Sequence, residues 1–185
     1  MKTVFAISFL VLFCSTIAFA QQKNPAKNYF PDVPLIDQDG KMHRFYSDLQ
    51  DGKVVIISSF HSDCKTIGPP MMASLRKVQQ SLAGRATEFN IISISVDPVA
   101  DTPAKEKAFA SMYKPGPGWY FLTGENANVD LVLRKLGMYV ARVEDHTSIL
   151  IVGNVKTGLW KKVNGLSKPE DIKAAVESVL DDRGQ

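Results

Sequence analysis

Apolar positions along this chain change period several times, and each change marks an element. Val54, Val55, Ile56 and Ile57 form a short continuous run rich in β-branched side chains, the pattern of a strand covered on both faces of a sheet. Beyond a polar turn, Met71, Met72, Leu75, Val78 and Leu82 recur at helical spacing. Pro69 and Pro70 suit the first turn of that helix, whose leading N–H groups have no intrahelical acceptor to lose. Ile91, Ile92, Ile94 and Val96 predict a second buried strand over 89–96, ended by Asp97-Pro98. Thr102 reads as an N-cap with Pro103 opening a helix that runs to 113. Residues 114–118 form a rigid Pro-Gly turn and 119–122 a short strand; a helix over 128–136 follows, closed by Gly137. Residues 147–152 and 159–163 read as a hairpin, and 169–180 as a last helix with Ile172, Val176, Val179 and Leu180 on one face. Ahead of the central strand, the apolar residues around Pro31 and Pro34 predict an extended edge segment, and 37–40 a turn into 42–46.

The first 20 residues join Lys2, an apolar run and the small-residue ending Ala18-Phe19-Ala20, the pattern of a cleavable secretory signal. This predicts an exported protein, periplasmic or otherwise extracytoplasmic. An uncleaved anchor is the alternative, although the run is shorter than the ~18 apolar residues of a span, and no later segment reaches that length. Cys14 lies inside the segment and leaves with it. Residues 21–28 read as a flexible linker and 29–182 as one domain. Without Lys2 the balance is 21 basic against 19 acidic residues, with no basic block, which argues against nucleic acid. Cys64, alone after maturation, cannot form an internal disulfide, so the fold must stand on its core. A monomer or weak dimer is expected.

The order strand, helix, strand, helix, hairpin, helix predicts an α/β protein of the thioredoxin type with a central mixed sheet containing two parallel strands. Ligands of open α/β sheets gather at the carboxyl ends of parallel strands, where Cys64 and Asp97 lie. Cys64 also precedes a helix N-terminus, whose unpaired N–H groups and dipole favour a thiolate. His61 precedes it by three residues, a spacing that can turn both side chains to one side of a loop, while a strand-end role is its bland reading. A histidine such as His146, at a strand start, is in general a hydrogen-bonded structural residue. His43 lies in an outer strand with no partner evident. Met71 and Met72 fit a core better than a thioether site. Asp97 and Asp101 orient the site or a partner on one reading, and form turns and caps on the other. Trp119 reads as a buried aromatic or a docking surface.

The chain resembles the Sco/SenC proteins, thioredoxin-fold factors of cytochrome c oxidase assembly. The resemblance runs over about 29–180 and is carried by Val33-Pro34-Leu35, Asp39-Gly40-Lys41, Arg44-Phe45-Tyr46, Asp48-Leu49, Ser95-Val96-Asp97-Pro98, Asp101-Thr102-Pro103, Gly118-Trp119, Leu122-Thr123-Gly124 and Asp145-His146-Thr147. It implies copper, Cu(I) or Cu(II), held by a CxxxC pair followed by proline and by a distal histidine. Cys64, Pro69 and His146 match that pattern; Gly68 stands where the second cysteine belongs. The resemblance thus implies metal ligands Cys64 and His146, with His61 a third candidate, and as partner a cytochrome c oxidase subunit or another copper protein. Two other readings stand beside it. One is a single-cysteine thiol oxidoreductase or peroxidase acting through Cys64. The other is a partner-binding module whose metal site has decayed.

Overall fold

The computed structural model describes residues 25–184. Residues 1–20, read as a signal segment, and 21–24, read as linker, lie outside them. Seven strands, β1 (Pro34–Asp37), β2 (Met42–Arg44), β3 (Val54–Phe60), β4 (Phe89–Ser95), β5 (Trp119–Thr123), β6 (Ile149–Asn154) and β7 (Trp160–Asn164), form one sheet in the order β2-β1-β5-β4-β3-β6-β7. The helices are α1 (Pro25–Tyr29), α2 (Gly68–Ser81), α3 (Pro103–Ser111), α4 (Asn126–Leu136) and α5 (Pro169–Leu180). β3 pairs in parallel with β4, and β4 with β5, while β6 runs antiparallel to β3 and to β7.

All seven residues of β3 and all seven of β4 are buried, the physical reason those runs are apolar rather than alternating. Alternate residues serve two cores. Ile56, Phe60, Ile91 and Phe121 pack with α2, α3 and α5, whereas Val55, Ile57, Ile92, Ile94 and Leu122 pack with α1 and α4. Met71 and Met72 are fully buried in the first core, as their spacing implies, and Trp119 joins it, stacked on Phe121 with its indole N–H 3.0 Å from Ser93 Oγ. Trp119 is therefore core and not a docking surface. Thr102 caps α3, its hydroxyl accepting from Lys105 N, and Gly137 closes α4 at φ 68°, in the left-handed region that glycine adopts freely.

The structure departs from the sequence reading in several places, among them the end of α3, which stops at Ser111 rather than 113. Three strands, not two, run parallel at the centre, because β5 continues the parallel ladder of β4. Residues 25–28, read as linker, belong to α1, whose Ala26 is buried against the second core together with Phe30 just beyond the helix. α4 starts two residues early, at Asn126. β6 starts two residues late, at Ile149, so His146 precedes the strand instead of opening it. His43 does have a partner: its Nε2 lies 2.7 Å from Asp37 Oδ2, both residues buried.

Glu106, on the face of α3 that meets the sheet, is fully buried, and neither carboxyl oxygen has a hydrogen-bond partner. Burial, with smaller contributions from Asp101 and Asp37, pushes its carboxyl up to about 9. The folded state then holds a proton that the unfolded chain gives up above pH 4.5, so this residue's contribution to stability falls as pH rises from there toward 9. Glu106→Gln should raise the melting temperature at pH 8 more than at pH 5 and flatten the slope between them, by up to ~1.4 kcal/mol per pH unit. Equal shifts at both pH values would show that the carboxyl is ionised in the fold.

Candidate metal centre

The site begins where β3 ends. Phe60 is the last residue of that strand, Val96 N–H bonds to its carbonyl, and His61 to Ile67 form the turn into α2. β6 pairs antiparallel with β3 in the register Ile57 to Ile151. Carried on by four residues, that register puts residue 147 beside His61 and delivers His146 to the same end of the sheet. His61, Cys64 and His146 consequently meet, with their ligand atoms all within 4.8 Å of one another. The two imidazoles lie edge to face, their centroids 4.7 Å apart and their planes at 81°.

Each member is prepared differently. Cys64 is 5% exposed, and burial works against its thiolate. Hydrogen bonds from the Gly68, Thr66 and Ile67 backbone and from the Thr66 hydroxyl outweigh burial and hold the thiol below its ordinary value. Gly68 N lies 3.3 Å from Sγ and Thr66 Oγ1 3.8 Å from it. His146 is kept neutral by burial first, against the opposing pull of the Val143 carbonyl, with His61 adding to the lowering. Its Nδ1 lies 2.9 Å from Val143 O, an acceptor only, so Nδ1 carries the proton and Nε2 the lone pair. Nε2 is buried and has no partner. A buried aromatic nitrogen with a free lone pair, in the same cluster as a stabilised thiolate, is a pair of donors for a soft cation.

Position 68 explains its own residue. A Cβ there would stand 3.1 Å from Cys64 Cβ and 3.2 Å from Sγ, closer than ordinary contact, and the backbone is not in the left-handed region. What faces the sulfur from position 68 is the N–H, and the absence of a side chain lets it approach.

Sequence reasoning left Asp97 and Asp101 between two roles, and the structure divides them. Asp97 makes a turn, its carboxylate accepting from Ala100 N at 3.2 Å. Asp101 is 1% exposed and accepts from Ser62 N at 3.2 Å, from the Ser62 hydroxyl, and from Ser95 Oγ at 2.6 Å. It therefore ties the cysteine turn to the end of β4. Lys105 adds an outer tie to Asp63 at 2.8 Å. Tyr113, not anticipated, sits near enough for the Cys64 charge to raise its phenol further, after burial.

The SCO1/SenC family model matches residues 21–181. The chain belongs to the SCO1/SenC family. The SCO1 protein homolog of Bacillus subtilis is 34% identical over 116 residues, which cover 62% of this chain and 59% of that relative. The structure of BsSco, a member of the Sco family of cytochrome c oxidase assembly proteins in which a disulfide switch was identified, superposes with a TM-score of 0.67 at 29% identity, covering 82% of this chain and 94% of that one. Copper-bound ScoI of Bradyrhizobium japonicum gives 0.66 at 27% identity, covering 79% of this chain and 96% of that one. These neighbours bear out the thioredoxin-like α/β reading. Unlike a protein with a disulfide switch, this SCO1/SenC member has one cysteine among the described residues, and it is free. No helix among those residues is long and apolar enough to cross a membrane.

Proposed function

We propose that this chain is an exported copper-binding factor serving cytochrome c oxidase assembly, with Cys64 and His146 as copper ligands. The observation that carries the reading is the buried Nε2 of His146, without a hydrogen-bond partner, in one cluster with a sulfur that accepts the Gly68 N–H. Copper is cargo here: the protein takes it up and passes it to an oxidase subunit or another copper protein. Cys64 supplies the soft donor, its thiol held below its ordinary value and so readily deprotonated, and His146 a neutral nitrogen fixed in its tautomer by Val143 that need lose no proton when metal arrives. The copper-bound relative and the oxidase assembly role of BsSco support the choice of metal and pathway. The signal-like first 20 residues support export, and 29–182 serves as the functional domain.

Deleting the gene in its host should lower cytochrome c oxidase activity under limiting copper, with rescue by the wild-type gene and none by Cys64→Ser. Full rescue by Cys64→Ser would remove the copper site from the function.

The stabilised thiolate also favours a second reading, a single-cysteine thiol reductant or peroxidase resolved by an external thiol. That reading needs rapid reaction of Cys64 with peroxide and gives His146 no ligand role. Partner recognition without metal would leave both residues dispensable.

A further inference from the structure

We propose that His61 completes a centre of one thiolate and two imidazoles, and that this centre holds Cu(II) without consuming its own sulfur. The inference rests on the reading of Cys64 and His146 as copper ligands and adds what the third donor does.

Three observations converge on His61. Its ring touches that of His146 edge to face, and its nitrogen belongs to the set of donors within 4.8 Å. Metal ions with nitrogen and sulfur ligands at about 2.0 and 2.3 Å keep those donors no more than ~4.3 Å apart. Three such donors around one ion stand about 3.5–3.7 Å apart, so a contraction of about 1 Å gathers all three, and His61 is on a turn and only half-buried. Second, no other donor can come from position 68, which faces the sulfur with an N–H and has no side chain. Third, the Nδ1 tether of His146 fixes that ligand from one side, so the partner that adapts is His61.

The chemistry of the set follows from its members. Replacing a thiolate by an imidazole makes a site less soft, and one cysteine with two histidines is a set that accommodates Cu(II) as well as Cu(I). A site with two adjacent thiolates has an exit that this one lacks. Forming one disulfide takes one electron from each of two thiolates and reduces two Cu(II) to two Cu(I). Here the described residues hold one thiol, 5% exposed at the foot of a turn, so a second sulfur would have to come from outside them, from Cys14 of an uncleaved chain or from another molecule, and reach it. Bound Cu(II) and the Cys64 thiolate therefore coexist. A hydrogen bond from Gly68 N to the sulfur withdraws electron density from it and further disfavours its oxidation.

The test uses the full chain carrying Cys14→Ser, so that Cys64 is its one thiol, loaded with one equivalent of Cu(II) and compared with the same chain carrying His61→Phe, which keeps a ring against His146. Visible absorption, electron paramagnetic resonance and a thiol count after incubation are read together, with Cu(I) binding measured in parallel. The expected wild-type result is an intense thiolate-to-Cu(II) band, hyperfine coupling to two imidazoles, and a thiol fully recovered on copper removal. His61→Phe should lose one imidazole coupling and about tenfold or more in Cu(II) affinity, with Cu(I) affinity changed by less than about threefold. An unchanged spectrum in His61→Phe, with Cu(I) binding intact, overturns the role of His61 alone. Loss of the wild-type thiol to disulfide overturns the coexistence of Cu(II) and thiolate. Absence of copper binding in either oxidation state overturns the copper reading beneath it.

Discussion

Cys64→Ser and His146→Ala each remove most Cu(I) binding, by ~100-fold or more, and the double variant loses little beyond either single one. The effect is large because Cu(I) is held best by the sulfur and the fixed His146 nitrogen, and with either gone the other is left with only His61 or water, which complete the pair poorly. Non-additivity is the signature of a shared ion: once one ligand is gone, the second has little left to hold. Neither substitution should unfold the domain. The Cys64 sulfur accepts the Gly68 N–H and lies near the Thr66 hydroxyl, and the His146 ring makes one hydrogen bond, to the Val143 carbonyl, which its backbone N–H also reaches. Additive losses would mean that the two residues act independently. An unchanged affinity in His146→Ala alongside loss of peroxide reactivity in Cys64→Ser would favour the thiol-redox reading.

The second large effect is expected away from any donor, at Asp101. Its buried carboxylate is the acceptor for Ser62 N–H, the Ser62 hydroxyl and the Ser95 hydroxyl. Asp101→Ala leaves the buried Ser95 hydroxyl and the half-buried Ser62 donors short of a partner and should cost about 2–4 kcal/mol of folding stability. It should also loosen the turn that presents Cys64 and cut Cu(I) affinity by ~10-fold or more, the scale of effect seen when groups that support ligands are removed. Asp101→Asn keeps one acceptor oxygen and the shape, so its losses should be smaller in both measurements. Urea unfolding of the two variants beside a Cu(I) competition assay checks the pairing. A variant that loses stability and keeps full affinity would show that Asp101 supports the fold but not the site.

The fold was legible because its strongest signals are those that burial writes into sequence. β3 and β4 are covered on both faces and so read as unbroken β-branched runs, and α2, α4 and α5 each bury one apolar stripe. The short α1 was missed because five polar-leaning residues carry no period; its order comes from Ala26 and Phe30 docking on the second core. β5 could not be assigned its parallel partner from a five-residue pattern, since pairing is decided by the rest of the sheet. At the site, Cys64 was marked by its place before a proline-led helix, but His61 and His146 stand 85 positions apart in the chain, and nothing local announces their contact. The β3–β6 register brings them together, and that is a property of the fold. Asp101 and Glu106 illustrate the same limit. Their sequence neighbours make both look like solvent-facing helix-start acids, and only packing shows that one anchors a turn and the other is buried without a partner.

The most direct measurement is an anaerobic Cu(I) titration of the reduced wild-type chain against a competing chromogenic chelator. The account predicts that one Cu(I) per chain is withdrawn from the chelator, and that the same titration of Cys64→Ser leaves the chelator saturated. A wild-type chain that fails to compete, or a Cys64→Ser chain that competes equally well, would contradict it.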